Sequence, residues 1–315
     1  MGRMENGVWR SGDVPAGEGG DFEREATTFR DRIAAGGPFP PEAGRYRLYV
    51  SLACPWAHRT LIFRALKGLE AMLPVSVTHW HMGDQGWGFA PGPGVVPDPV
   101  FGAEHLHQIY AAAAPGYTGR VTVPVLLDTQ TRRIVNNESA EVIRILDHAF
   151  DALGTTPSDH TPPDLLPEIE SLNARIYATL NNGVYRCGFA RTQDAYDAAI
   201  EPLFATLDWL EARLATHRFL CGDRITEADW RLFTTLIRFD AVYHGHFKCN
   251  LRRIADYPAL SDYLRSLLHW PGITATVDLH HIRHHYYGSH RQLNPSGIVP
   301  AGPVLDLDQP GSRLP

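Results

Sequence analysis

The residue in this sequence best suited to chemistry is Cys54, in the segment 46–69. The aromatic and β-branched run at 46–50 predicts a strand, and the apolar spacing after Pro55 predicts a helix. Because proline favours the first helical position, we expect Cys54 to cap this helix. The helix dipole and unpaired backbone N–H groups favour an anion there, so the pKa of the thiol should lie below its usual value of about 8.5. The alternative is a small apolar cysteine that fills the junction between strand and helix.

The composition limits the class of protein. A chain of 315 residues, 44% hydrophobic and 20% charged, predicts a globular protein of two domains. Its formal net charge of -6 argues against a nucleic-acid partner, which requires clustered Lys and Arg. No apolar run reaches the ~20 residues of a membrane span, and the N-terminus lacks the apolar core of a secretory signal. We therefore expect a cytoplasmic protein without membrane or nucleic-acid partners.

The cysteine and histidine spacings indicate how the thiol would act. The four cysteines match neither a CxxC pair nor a zinc site: they are Cys54, Cys187, Cys221 and Cys249. With no second cysteine near Cys54, an external thiol must complete any redox cycle. Histidines cluster at 280–285, but no acid or cysteine nearby completes a ligand set. We expect no metal.

Strands and helices alternate around Cys54. The elements predicted after the first helix are a strand at 75–80, a helix at 104–113, a hairpin at 121–136 and a helix starting at 137–139. The first two strands are connected through a helix and should be parallel. Residues 81–103 are rich in Gly and Pro and should be irregular. Pro124, at the entrance of its strand, fits an edge position or a cis bond. The predicted order is β-α-β-α-β-β-α.

The remainder of the chain divides into an arm, a helical part and a tail. The predicted divisions are an N-terminal arm at 1–44, the unit around Cys54 at 45–153, a Pro-rich linker at 154–163, an all-helical domain at 164–290 and a tail at 291–315. Within the arm a short helix is predicted around 22–33. Further helices are predicted near 166–181, 194–215, 226–240, 258–268 and 273–284. Thr226 and Asp229 have the spacing of a capping box. The tail should be bound to the surface or disordered.

Two further places could hold a ligand. Trp87 stands in the Gly-rich loop, where an exposed tryptophan is costly, so it is either a loop anchor or a stacking wall for a ligand. Glu138 and Ser139 begin a helix whose N-terminus could receive a carboxylate, while Glu138 accepts from an ammonium group. The ordinary alternative for this pair is a plain helix start. The residues alone leave both questions open.

Five motifs carry a resemblance to a known family. They lie at 54–57, 119–124, 135–139, 238–249 and 285–290. The α/β unit resembles the thioredoxin fold, and with its all-α C-terminal domain the chain resembles a glutathione transferase. The finer motifs are similar to those of the glutathionyl-hydroquinone reductases, also called Xi-class glutathione transferases. The resemblance runs from about Trp9 to His290.

The resemblance implies a role for particular residues. Cys54 would be the nucleophile, and Tyr185, Tyr243 and Tyr286 would line the pocket for an aromatic substrate. The residues implied to hold the glutathione co-substrate are Trp87, Arg120, Val123, Glu138 and Ser139. The implied reaction releases hydroquinone and glutathione disulfide through a mixed disulfide on Cys54. A homodimer is also implied.

Two other functions remain open from the sequence. An omega-like thioltransferase or dehydroascorbate reductase would use the same thiolate on other acceptors. A non-catalytic interaction module is the alternative of another class, but such a module has little reason to place a cysteine at a helix cap. The Glu138–Ser139 pair favours a γ-glutamyl thiol, although another low-molecular-weight thiol stays possible.

Overall fold

The structure, a computed structural model, describes residues 2–12 and 17–314. Residues 13–16 of the predicted arm, together with both terminal residues of the chain, lie outside the described part. The chain forms two compact units. The first comprises Met1–Val14, Glu25–Ser158 and Thr276–His285, and the second comprises Pro15–Arg24, Asp159–Ala275 and Tyr286–Pro315.

The strands of the described chain belong to the first unit. They are β1 (Arg3–Glu5), β2 (Val8–Arg10), β3 (Tyr46–Val50), β4 (Val75–Val77), β5 (Gly119–Arg120), β6 (Val125–Asp128) and β7 (Arg133–Asn136). They form a four-stranded sheet of order β4-β3-β6-β7 and a small sheet of order β2-β1-β5. Strands β3 and β4 are parallel, as predicted, and β6 pairs antiparallel with both β3 and β7.

Three helices accompany these strands: α1 (Pro55–Leu66), α2 (Leu106–Ala113) and α3 (Ser139–His148). The predicted order β-α-β-α-β-β-α is confirmed around the four-stranded sheet. The sheet forms where side chains are buried: β3 buries every side chain except that of Arg47, and β6 buries all of its side chains. Apolar residues of α1 and α3, among them Ile62 and Val142, are fully buried in the same unit.

The predicted helix around 22–33 is wrong, because this part of the arm is extended. The Asp31 N–H donates to Val135 O at 2.9 Å, and the Asn137 N–H donates to Phe29 O at 3.1 Å. These bonds satisfy backbone groups along β7 that would otherwise form an open sheet edge. Pairing with β7 therefore outweighs the weak helical pattern of the sequence.

The second unit is helical. Its helices are α4 (Leu166–Ile176), α5 (Gly183–Phe189), α6 (Gln193–Leu214), α7 (Glu227–Arg238), α8 (His244–His246) and α9 (Pro258–Leu268), and a further helix, α10 (Leu279–Ser289), begins in the first unit. The sequence predicted neither α5 nor the π-helical turn Phe239–Tyr243 that follows α7. The capping box of Thr226 and Asp229 is confirmed. None of the helices that the structure describes is both long and apolar enough to cross a membrane.

Two segments near the C-terminus bind to the units by specific contacts. Residues 276–285, placed with the helical domain by the sequence, pack in the first unit, where a ring nitrogen of His281 lies 2.7 Å from Pro93 O. The tail is bound to the surface of the second unit. There Arg313 pairs with Asp262 at 2.9 Å and donates to Leu214 O at 3.0 Å.

Candidate active site

Cys54 is the N-cap of α1, as predicted. Its backbone is extended, with φ -77° and ψ 122°, and its carbonyl accepts the first helical bond from the His58 N–H at 3.0 Å. Pro55 occupies the first helical position, where its missing N–H costs nothing. The Cys54 side chain is half-buried, and its Sγ lies 3.7 Å from Val123 O. The sequence therefore places a thiol at the positive end of a helix.

The structure brings Val123 into contact with Cys54. Val123 is buried, and its bond to Pro124 is cis, one of the two possibilities predicted for this proline. Arg120 lies three residues earlier in β5, where it pairs with Arg3 of the arm. The arm thus orders the strand that leads to the Cys54 contact.

Glu138 and Ser139 begin α3, as the sequence indicates. The Glu138 side chain caps the helix: its Oε1 accepts from the Ala140 N–H at 3.2 Å. Its Oε2 accepts from the Thr27 hydroxyl at 3.1 Å, a contact from the arm that the sequence did not indicate. Ser139 follows at the first helical position and is 3% exposed. A helix N-terminus with a carboxylate beside it has donors and an acceptor for an amino-acid group.

Trp87 is buried, at 8% exposure, although it stands in a loop rich in glycine. Its ring stacks on His285 with centroids 4.7 Å apart and an interplanar angle of 25°. A ring nitrogen of His285 lies 2.8 Å from Trp80 O, which holds the imidazole in place. These contacts support the loop-anchor interpretation of Trp87. A role in ligand binding stays a prediction.

Arg59 is a site residue that the sequence analysis missed. It lies on α1, five residues after Cys54, and its side chain is 1% exposed. Its guanidinium carbon lies 4.5 Å from the centroid of the Trp56 ring. Its Nη1 donates to Ser139 Oγ at 3.4 Å. The sequence did contain one indication of its burial. Arg59 precedes Ile62 by three residues and Phe63 by four, which places it on the apolar face of α1.

The three predicted tyrosines of the second unit come together. Tyr286 is the centre: its hydroxyl lies 2.6 Å from that of Tyr185 and 3.0 Å from that of Tyr243. The Phe247 ring packs against all three rings, with centroids 5.4 to 5.5 Å away. Gly188 on α5 permits this packing, since a Cβ there would overlap the Phe247 ring. The cluster is a set of hydroxyl groups in aromatic surroundings.

Burial determines the protonation of this cluster. It raises the pKa of Tyr243 and of Tyr286 well above 10, and the neighbouring Tyr185 raises both pKa values further. Both side chains therefore keep their protons at neutral pH and can donate them in hydrogen bonds. Such a cluster suits an oxygen that becomes negative during a reaction.

Family models match both halves of the chain. The model for the glutathione S-transferase N-terminal domain matches residues 53–149, and the model for the C-terminal domain matches residues 193–266. The first match contains Cys54, Val123 and Ser139.

Individual relatives match the full length. The glutathionyl-hydroquinone reductase PcpF of Sphingobium chlorophenolicum is 56% identical over 316 residues, covering 100% of this chain and 99% of the relative. The glutathionyl-hydroquinone reductase YqjG of Escherichia coli is 50% identical, with 99% and 98% covered.

Solved structures agree with these sequence matches. The glutathione-bound structure of YqjG has a TM-score of 0.92 and 48% identity, with 99% of each chain covered. The Xi-class glutathione transferase of Natrialba magadii has a TM-score of 0.94 and 46% identity, covering 99% of this chain and 96% of that one. The predicted thioredoxin-like and helical fold is thereby confirmed. The chain belongs to the glutathione transferases and, among them, to the Xi class of the glutathionyl-hydroquinone reductases.

Proposed function

We propose that this protein reduces glutathionyl-hydroquinones, with glutathione as its co-substrate. The observation that carries the proposal is the tyrosine cluster, whose hydroxyls are joined through Tyr286. A thioltransferase acting on small disulfides needs a reactive thiol but no set of hydroxyls in an aromatic environment. The relatives named as glutathionyl-hydroquinone reductases, which match the whole chain, support the same assignment.

The glutathionyl part of the substrate is assigned to residues of the first unit. The backbone of Val123 pairs with the cysteinyl part, and Glu138 and Ser139 hold the γ-glutamyl end. Trp87 packs against the peptide, and Arg120 adds positive charge. The support for these roles is the contact between Cys54 and Val123 and the polar N-terminus of α3.

The first chemical step forms a mixed disulfide. The Cys54 thiolate attacks the sulfur that joins glutathione to the ring, so an S–S bond forms and the C–S bond breaks. The electron pair of the broken bond goes to the ring carbon, which takes up a proton. Hydroquinone leaves, and glutathione stays bound to Cys54 as a disulfide.

The second step restores the thiol. A second glutathione, as thiolate, attacks the glutathionyl sulfur of the mixed disulfide, which releases glutathione disulfide and the Cys54 thiolate. The ring carbon is reduced, and two glutathione sulfurs are oxidised to one disulfide. This balance requires no metal. It also agrees with the absence of a second cysteine close to Cys54 in the sequence.

The tyrosines act on the aromatic part. As the C–S bond breaks, negative charge develops on the ring and its oxygens, and protonated hydroxyls stabilise it by hydrogen bonds. Tyr243 and Tyr286 are suited to this role because burial keeps them protonated. We further propose that the protein works as a homodimer in the cytoplasm.

The test supplies the pure protein with a glutathionyl-hydroquinone and glutathione and follows both products by mass. We expect hydroquinone and glutathione disulfide in equal amounts, and neither product above background with the Cys54→Ser variant. A protein that reduces small mixed disulfides but leaves the glutathionyl-hydroquinone unchanged is a thioltransferase of omega type, and the proposal is then wrong.

A further inference from the structure

Arg59 places a positive charge next to the side chain of Ser139. Its side chain is 1% exposed and Ser139 is 3% exposed, so both groups are shielded from water. The guanidinium lies over the ring of Trp56, with its carbon 4.5 Å from the centroid, which fixes its plane. A cation held in this way acts strongly on its neighbours, because the surrounding protein screens it less than water does.

The contact also fixes the direction of the Ser139 hydroxyl. A guanidinium donates hydrogen bonds and accepts none, so at 3.4 Å the Ser139 Oγ is the acceptor from Arg59 Nη1. The hydroxyl proton of Ser139 must then point elsewhere. Ser139 therefore presents a donor, and the nearby charge of Arg59 makes that donor more acidic.

We infer that Arg59 is a positioning residue that makes Ser139 selective for the α-carboxylate of the γ-glutamyl group. The inference rests on the proposed function, since it concerns the thiol that Cys54 uses. The N-terminus of α3, to which Ser139 belongs, already favours an anion. Arg59 adds positive charge beside this N-terminus and sets the hydroxyl to donate. The substrate class is thus a thiol that carries a free amino-acid end, with its carboxylate at Ser139.

The experiment compares two ligands that differ only in that carboxylate. One is glutathione, and the other is γ-aminobutyryl-cysteinyl-glycine, which keeps the ammonium group but lacks the α-carboxylate. Calorimetry gives the Kd of each for the parent, Arg59→Gln and Arg59→Lys, and the measured quantity is the ratio of the two Kd values. We expect glutathione to bind the parent at least about tenfold more tightly than the analogue.

In Arg59→Gln this ratio should fall about five- to tenfold, because glutathione binding weakens while analogue binding does not. Arg59→Lys keeps the positive charge but loses the planar guanidinium group, so the ratio should fall less than in Arg59→Gln. The ratio of the two Kd values can be interpreted for either variant, provided that the variant folds. An unchanged ratio overturns the inference, also when both ligands bind more weakly because the variant has lost structure in general.

The matched control is Arg64→Gln, the same change on the same helix. Arg64 donates to the carbonyls of Leu73 and Glu70, away from Ser139, and its loss should leave the ratio as in the parent. A parent that binds neither ligand overturns both this inference and the proposed function. A parent that binds glutathione and reduces the glutathionyl-hydroquinone, with an unchanged ratio in the Arg59 variants, overturns the inference alone.

Discussion

The hydroxyl oxygens of Tyr185 and Tyr286 lie 2.6 Å apart, and Tyr286 bonds in turn to Tyr243 at 3.0 Å. The three hydroxyls are therefore a connected chain rather than separate groups. In such a chain each bond polarises the next, so the loss of its central member removes two bonds, while the loss of an end member removes one. The three tyrosines should consequently contribute unequally to the proposed reaction.

We predict that Tyr286→Phe lowers the turnover of a glutathionyl-hydroquinone more than Tyr185→Phe or Tyr243→Phe. A single lost donor to a developing oxyanion typically costs about 10- to 1000-fold, and the central variant should lie at the upper end. Reduction of a small mixed disulfide should keep most of its rate, since no ring oxygen has to be stabilised. Steady-state rates on both substrates test this for each variant.

The melting temperature of each tyrosine variant is the control. Tyr→Phe keeps the ring and its packing against Phe247, so only the hydroxyl bonds change. Equal losses of both activities, with a lowered melting temperature, would mean that the cluster is structural. The hydroquinone assignment would then lose its main support.

A second prediction concerns the thiol of Cys54. Its position at the cap of α1 should make it alkylate faster at neutral pH than an ordinary cysteine, with an inflection below pH about 8.5. The change Cys54→Ser should abolish reduction and leave the melting temperature within a few degrees, since serine is nearly isosteric. Iodoacetamide labelling against pH, read at Cys54 by mass spectrometry, gives the inflection. An inflection at 8.5 or above contradicts an activated thiol.

The sequence contained enough information for the part of the site that depends on local rules. Cys54 and Pro55 have their observed positions because proline at the first helical position is a local preference. The capping box of Thr226 and Asp229 is a local pattern as well. The three tyrosines are different: the family resemblance alone indicated them, because residues 101 positions apart in the chain, such as Tyr185 and Tyr286, meet only in the fold.

The errors of prediction have identifiable causes. The hairpin of β1 and β2 turns at Asn6 and Gly7, both with positive φ. This dipeptide is a strong hairpin signal, so this miss was avoidable. The extended arm at 25–33 was not predictable locally, since its conformation depends on the edge of β7. Likewise, a buried arginine such as Arg59 is recognised only once its partner Ser139, 80 residues away, is in place.

A third prediction separates the two roles of Trp87. Its burial and its stacking on His285 predict that Trp87→Ala lowers the free energy of unfolding by about 3–5 kcal/mol, the usual cost of removing a buried tryptophan. Trp87→Phe keeps an aromatic face and should cost less. Urea unfolding measures both values. Calorimetry under folding conditions then tests the ligand role. If Trp87→Ala binds glutathione with the same Kd as the parent, Trp87 is a loop anchor only.

A fourth prediction concerns the tail. Arg313 pairs with Asp262 and donates to the carbonyls of Leu214, His217 and Arg218. Its removal in Arg313→Met leaves these groups without their charged donor and should lower the free energy of unfolding by about 1–3 kcal/mol. Arg291→Met, in an exposed part of the same tail, should stay within about 0.5 kcal/mol of the parent. Equal unfolding midpoints for the two variants would mean that the tail does not stabilise the second unit.

The last prediction concerns acid stability and starts from His246. This side chain is 7% exposed, and its Nε2 lies 3.2 Å from Nδ1 of His290. Burial, and to a smaller extent the charge of Lys248, lowers the pKa of His246 to about 4. An unfolded histidine takes up a proton near pH 6.5, whereas the folded protein does so only near pH 4.

Between these two values the unfolded state binds more protons, so stability falls as the pH falls. From pH 7 to 4.5 the contribution of His246 to this loss should reach about 2 kcal/mol. His246→Gln removes the titration but keeps a side chain able to bond His290, and its stability should fall less steeply over the same range. Urea unfolding at several pH values gives the free energy of unfolding of the parent and of the variant. In the difference between the two, the contributions of the other titrating groups cancel. Parallel curves for the two proteins would show that His246 titrates alike when folded and unfolded, contrary to its burial.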